Sequence, residues 1–200
     1  MAKDMSDWSR FERLTPFRVR DVLLVASPFD HYLLEESGYL VEIMRQEYAE
    51  LNLSQSPRII HSREARDALR LIRNRQFDLV ITMARVGSMD VNAFGREVKS
   101  IVADMPVILL SHNTRELATL HAGDGIDRIF VWTGDSRILL SICKLIEDEK
   151  NVAYDVNDAD VQVILLVEDS RRFYSAYLPL LYTQLVKQTV RLMGEGGNLD

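Results

Sequence analysis

The sequence predicts an α/β protein with a doubly wound parallel sheet. Five short apolar runs alternate with stretches of helical period across about 130 residues. The runs are nearly continuous in apolar residues, as strands buried on both faces are. Parallel strands need crossovers, and the amphipathic stretches between the runs supply them.

The first strand is "DVLLVA", Asp21–Ala26, followed by a helix over His31–Leu51 that is interrupted near Gly38. "PRIIH", Pro57–His61, is the second strand. In the next segment, Ala65, Ala68, Leu69 and Ile72 share one helical face. "DLVITM", Asp78–Met83, is the third strand, and Asp90 is placed to cap a helix whose buried stripe is Phe94, Val98 and Ile101. "MPVILLS", ending at Ser111, is the fourth, and Asn113 with Glu116 has capping-box spacing for the helix after it. "DRIFVW", ending at Trp132, is the fifth. Ile138, Leu139, Ile142, Leu145 and Ile146 then form one face of a last helix.

Beyond Lys150 the composition turns polar and acidic in "NVAYDVNDAD", which reads as a linker over 152–160. A strand, "VQVILLV", and a long helix containing Pro179 follow. "VLLVASPFDHY" from Val22 matches "ILLVEDSRRFY" from Ile164, so that Ala26 falls on Glu168, Ser27 on Asp169 and Tyr32 on Tyr174. This repeat marks 161–200 as the truncated start of a second domain of the same fold. A lone strand and helix do not make a domain.

The hydrophobic share of 47% supports a real core, and a net charge of −6 argues against a nucleic-acid surface. Residues 1–17 are an N-terminal lead-in, and the locally basic stretch "WSRFERLTPFRVRD", Trp8–Asp21, reads as solvated rather than as a binding patch. The single cysteine, Cys143, lies in an apolar run and reads as a buried thiol. No apolar run approaches the roughly 18 residues of a membrane span. No signal-peptide core is present, so the expected location is cytoplasmic. His31, His61, His112 and His121 lack metal-ligand spacing, and the glycines of "AGDG" and "GEGGN" do not follow a strand and open a helix.

Over 18–151 the chain resembles a receiver domain of two-component signalling, the flavodoxin-like (βα)5 fold. "FDLVITMARVGSMD" carries the resemblance, aligning without a gap on the family's third strand and loop. In that family an acidic pair follows the first strand, an aspartate that accepts phosphate ends the third, a Ser or Thr ends the fourth, and a Lys ends the fifth. The carboxylates hold Mg²⁺, and the hydroxyl and ammonium take the phosphoryl oxygens. Here the acidic pair falls on Ala26 and Ser27, the phosphoacceptor on Met83, the hydroxyl on Ser111 and the lysine on Trp132. Methionine's thioether is soft and a very poor nucleophile toward phosphoryl donors. The resemblance thus implies a degenerate pseudo-receiver with no cofactor and no metal. Asp30, three residues past Ser27, and Asp90, in the third strand's loop, are the acids that could substitute in the same crevice, but both read better as helix-start residues. The second copy keeps an acidic pair, Glu168 and Asp169.

These observations lead to a non-catalytic signalling module that works by protein–protein contact. Its partners are a protein or other domains of the same polypeptide, with no nucleic acid and no membrane. The apolar C-terminal helix has three possible placements: packing on the first domain, a homodimer contact, or strand exchange with a neighbour. The alternative function is a small-molecule binder using the vacated apolar crevice. The opening segment and "LPLLYTQL" are similar to the front end of larger bacterial phosphoenolpyruvate synthase or pyruvate phosphate dikinase-type proteins. That similarity implies regulatory input to a fused phosphotransferase, none of whose motifs is visible in these 200 residues.

Overall fold

The computed structural model describes residues 15–36, 42, 45–46, 48–49, 56–112, 122–135, 137–159 and 161–196. Five parallel strands form one sheet: β1 (Asp21–Val25), β2 (Arg58–Ser62), β3 (Leu79–Met83), β4 (Val107–Ser111) and β5 (Arg128–Val131), in the order β2-β1-β3-β4-β5. The helices are α1 (Pro28–Glu36), α2 (Ala65–Asn74), α3 (Val91–Ile101), α4 (Arg137–Ala159) and α5 (Arg171–Gly196). All five predicted strands form, each within a residue or two of its expected bounds. The expected helix after Asn113 lies outside the described residues, as do His121 and most of the N-terminal lead-in.

Strand alternation sends side chains to two cores. Val22, Leu24, Ile81 and Met83 pack with Leu34, Ile138, Ile142 and Ile146 on one face. Leu23, Val25 and Val80 pack with Ala68, Leu69, Phe94 and Val98 on the other. β3 and β4 are wholly buried, which is why their sequences show no polar alternation.

The start of α1 is set by Ser27, not by His31. The Ser27 hydroxyl accepts the Asp30 amide at 3.1 Å and donates to the Asp30 carboxylate at 2.7 Å, so the helix begins at Pro28. Asp90 caps α3 as expected, accepting the Asn92 and Ala93 amides at 3.0 Å. Gly125 has φ +99°, and the backbone of its turn passes so close to Gly95 on α3 that a side chain at either glycine would collide with main chain.

Two expectations fail beyond Lys150. The polar stretch expected as a linker over 152–160 is instead the continuation of α4 to Ala159. Its polar side chains have a backbone to serve. Glu147, Asn151 and Asp155, one turn apart, accept the amides of Val19, Phe17 and Thr15 at 2.9, 2.9 and 3.0 Å. The lead-in is thereby strapped along the helix, and each side supplies what the other lacks.

The second failure is "VQVILLV", which forms no strand. Leu165 and Val167 are each 82% exposed there. The nearer sheet edge, β5, is closed to it, because α5 lies against β5 and Ser175 takes the outward-facing Val131 amide at 2.8 Å. Leu178 of α5 is buried in the first core, and Tyr174 meets Phe130 with ring centroids 5.9 Å apart. Of the three placements expected for this helix, the one seen is packing on the first domain.

Candidate functional site

The order of the strands reverses direction of travel between β1 and β3, and ligands of such sheets enter the crevice at the carboxyl ends there. The structure brings the five singled-out positions of the first domain to this end. Ala26 follows β1, is fully buried, and donates its amide to Ser62 at 3.0 Å. Ser27 is committed to capping α1. Met83 ends β3, directly paired with Leu110 of β4, and is 2% exposed. Ser111 ends β4, and its carbonyl accepts the Trp132 amide at 2.8 Å. The Trp132 side chain is half-buried against the first core.

These ends border two adjoining hollows that share Met83, Asp30 and His112. One, of about 380 Å³, is lined by Leu33, Leu34, Met83, Trp132 and Gly134 with Asp30 and His112. The other, of about 280 Å³, adds Ser27, Phe29, Ala84, Arg85 and Ser111. The larger hollow is thus lined by a thioether, an indole and aliphatic groups, with one carboxylate and one imidazole at the side, and the smaller adds the Phe29 ring, two hydroxyls and the Arg85 guanidinium.

From sequence alone Asp30 is a candidate for the crevice, with a helix-start role preferred. It has that role, but it is also buried and lines both hollows, with His112 Nδ1 3.7 Å from its carboxylate. The signal was available: a helix residue three past the cap returns to the strand end. His112 directly follows the predicted end of β4 at Ser111, so the strand end was its signal.

Glu168 and Asp169 are not brought to this crevice. Glu168 accepts the Ser170 amide at 2.8 Å, and Ser170 caps α5. Asp90 likewise stays at its cap. No group of three or more His, Cys, Asp or Glu side chains is placed to hold a metal among the described residues. A single carboxylate supplies one hard oxygen donor group, far short of the coordination that Mg²⁺ or Ca²⁺ takes. The larger hollow is equipped instead to enclose an apolar or weakly polar group, with Asp30 and His112 as its polar contacts.

The sheet order, the all-parallel pairing and the crevice define a doubly wound, flavodoxin-like protein. More particularly, the chain has the fold of response regulator receiver domains. It is similar to a CheY-like receiver domain from Methanospirillum hungatei JF-1, with a TM-score of 0.52 and 17% identity over 68% of this chain and 98% of that one. A receiver domain from Clostridium thermocellum gives 0.51 and 18% over 68% and 99%. The signal receiver domain of an HD domain-containing protein from Pseudomonas fluorescens Pf-5 gives 0.50 and 20% over 70% and 94%. No protein-family model matches the chain, and no curated protein sequence does. Among the described residues, no helix is long and apolar enough to cross a membrane.

Proposed function

We propose that this chain is a pseudo-receiver: a signalling or regulatory module that is not phosphorylated at its strand ends and acts through contacts with proteins or with other domains of its own polypeptide. The observation that carries the reading is Met83 at the end of β3, buried where a receiver holds its reactive carboxylate. Ala26 and Trp132 stand where Mg²⁺ ligation and an ammonium would be needed beside it. A thioether neither attacks a phosphoryl donor usefully nor holds a hard cation. The module itself is not an enzyme on this reading, and it serves as the receiver-like part of a larger regulator or phosphoenolpyruvate synthase-like protein. Incubation with acetyl phosphate and Mg²⁺, followed by intact mass measurement, tests the central point. The mass is expected to stay unchanged, and a stoichiometric phosphate adduct would overturn the proposal.

A second reading is favoured by the lining of the larger hollow, where Leu33, Leu34, Met83 and Trp132 surround a space of about 380 Å³. A neutral, partly aromatic metabolite or a nucleobase suits that surface, with Asp30 and His112 fixing its orientation. Fluorescence of Trp132 in a Trp8→Phe background, screened against nucleosides and neutral metabolites, discriminates the two readings. A saturable change that Met83→Ala weakens supports the ligand reading, and flat responses favour protein contact alone.

A further inference from the structure

The opposite end of the sheet holds a larger cavity, of about 570 Å³, at the amino ends of β1 and β2. Arg18, Arg20, Arg58 and Lys144 line it, with Asp21 and Glu147 as the only carboxylates in its wall among the described residues. The pairing of these charges is uneven. Lys144 Nζ donates to Glu147 at 2.6 Å, and Glu147 also accepts the Val19 amide at 2.9 Å. Asp21 takes both Arg58 and, from outside the cavity, Arg75 at 2.8 Å. Asp78, just beyond the wall, spends one oxygen on the Arg20 and Asp21 amides. The guanidinium groups of Arg18 and Arg20 are left with no hydrogen-bonding or ion-pairing partner among the described residues. Among the described residues, two positive charges therefore remain uncompensated beside one concave surface.

A second, independent feature lies in the same wall. Tyr48 is 3% exposed, and its hydroxyl is buried with no hydrogen-bond partner among the described residues. Buried hydroxyls are nearly always paired, and leaving one alone carries its desolvation cost unrecovered. The Lys144 ammonium stands 5.4 Å from the Tyr48 ring centroid, so the ring is held against a cation at the cavity's side.

We propose that this cavity is a binding site for a phosphate-bearing small molecule, separate from the crevice at the carboxyl ends. Arg18 and Arg20 supply the fork geometry that grips phosphate oxygens, and Lys144 adds a nearby fixed charge. The two sites stand at opposite ends of β1, about 16 Å apart for a five-residue strand. Because Val19 and Glu147, which are hydrogen-bonded to each other, both line the cavity, occupancy would be felt at the junction of lead-in, β1 and α4. The inference does not depend on the pseudo-receiver reading, which concerns the other end of the sheet.

Isothermal titration of the full chain with inorganic pyrophosphate, and separately with ADP, tests this. Saturable binding of either is expected, and it should weaken as salt is raised. The double variant Arg18→Ala/Arg20→Ala should lower the affinity by about tenfold or more. It removes no hydrogen bond or ion pair made by a side chain among the described residues, so its thermal melt should stay close to that of the parent chain. Arg70→Ala/Arg73→Ala removes the same charge from the exposed side of α2 and should leave binding within about twofold. Absence of binding by both probes would overturn the proposal. So would equal weakening in the two double variants, which would mark the attraction as non-specific.

Discussion

The Ser175 hydroxyl of α5 accepts the Val131 amide at 2.8 Å across 44 residues of sequence, and it donates in turn to the Arg171 carbonyl at 2.7 Å. β5 is an edge strand, and Val131 is the residue whose N–H faces away from β4. One hydroxyl therefore satisfies the edge and fastens the C-terminal helix to it. Ser175→Ala leaves that buried amide unpaired and is expected to cost about 1–3 kcal/mol. Urea unfolding measures it. A change below about 0.5 kcal/mol would show that α5 is held by its apolar contacts alone.

Gly95→Ala should also destabilise, by about 1–3 kcal/mol, through crowding rather than a lost contact. A methyl there would meet the Gly125 carbonyl oxygen at 2.6 Å, and main chain cannot swing aside as a side-chain tip can. The same chemical denaturation reports it, and an unshifted midpoint would mean that the turn at Gly125 yields freely.

Cys143 should be silent toward thiol reagents in the native protein. Its side chain is 1% exposed, and burial pushes the thiol's pKa well above its ordinary value, so almost no thiolate forms at neutral pH. Ellman's reagent is expected to titrate one thiol in denaturant and none in the folded chain. Prompt native labelling would contradict the packing of α4.

Acid should loosen the start of α4. Asp135 accepts from the Arg137 guanidinium at 2.7–3.1 Å and from the Arg137 amide at 3.0 Å. The side-chain hydrogen bond from Arg137 is the main cause that holds its pKa below the ordinary 3.8. A depressed carboxylate pKa adds stability above the unfolded value and loses it as pH falls through the folded one. The pair is partly exposed, so the loss between pH 5 and 3 should be about 0.5–1 kcal/mol after solvent screening. Asp135→Asn should flatten that part of the stability profile. If parent and variant decline in parallel, the pair contributes nothing.

The fold and the character of the crevice were readable in residue order for a common reason. Strand burial writes itself as runs such as "LVITM" and "VILLS", and a strand's last residue is the one presented at the crevice. Met83, Ser111 and Trp132 could therefore be placed from register alone. The Ser27 cap and both roles of Asp30 follow from helix geometry, although residue order alone favours Asp30's helix-start role over its place in the crevice.

What the sequence by itself determined is the local material: five strands, their burial, and the absence of a carboxylate at the end of β3. Tertiary structure decided where the outlying segments go. "NVAYDVNDAD" has linker composition, yet Asn151 and Asp155 face a backbone that lies 134 and 140 residues away, and they extend α4. "VQVILLV" has strand composition, yet its nearer edge is closed by Ser175, and it stays unpaired. Local periodicity records which face of a segment is apolar. It carries no record of which distant amide needs an acceptor, because that need exists only once the strands have met.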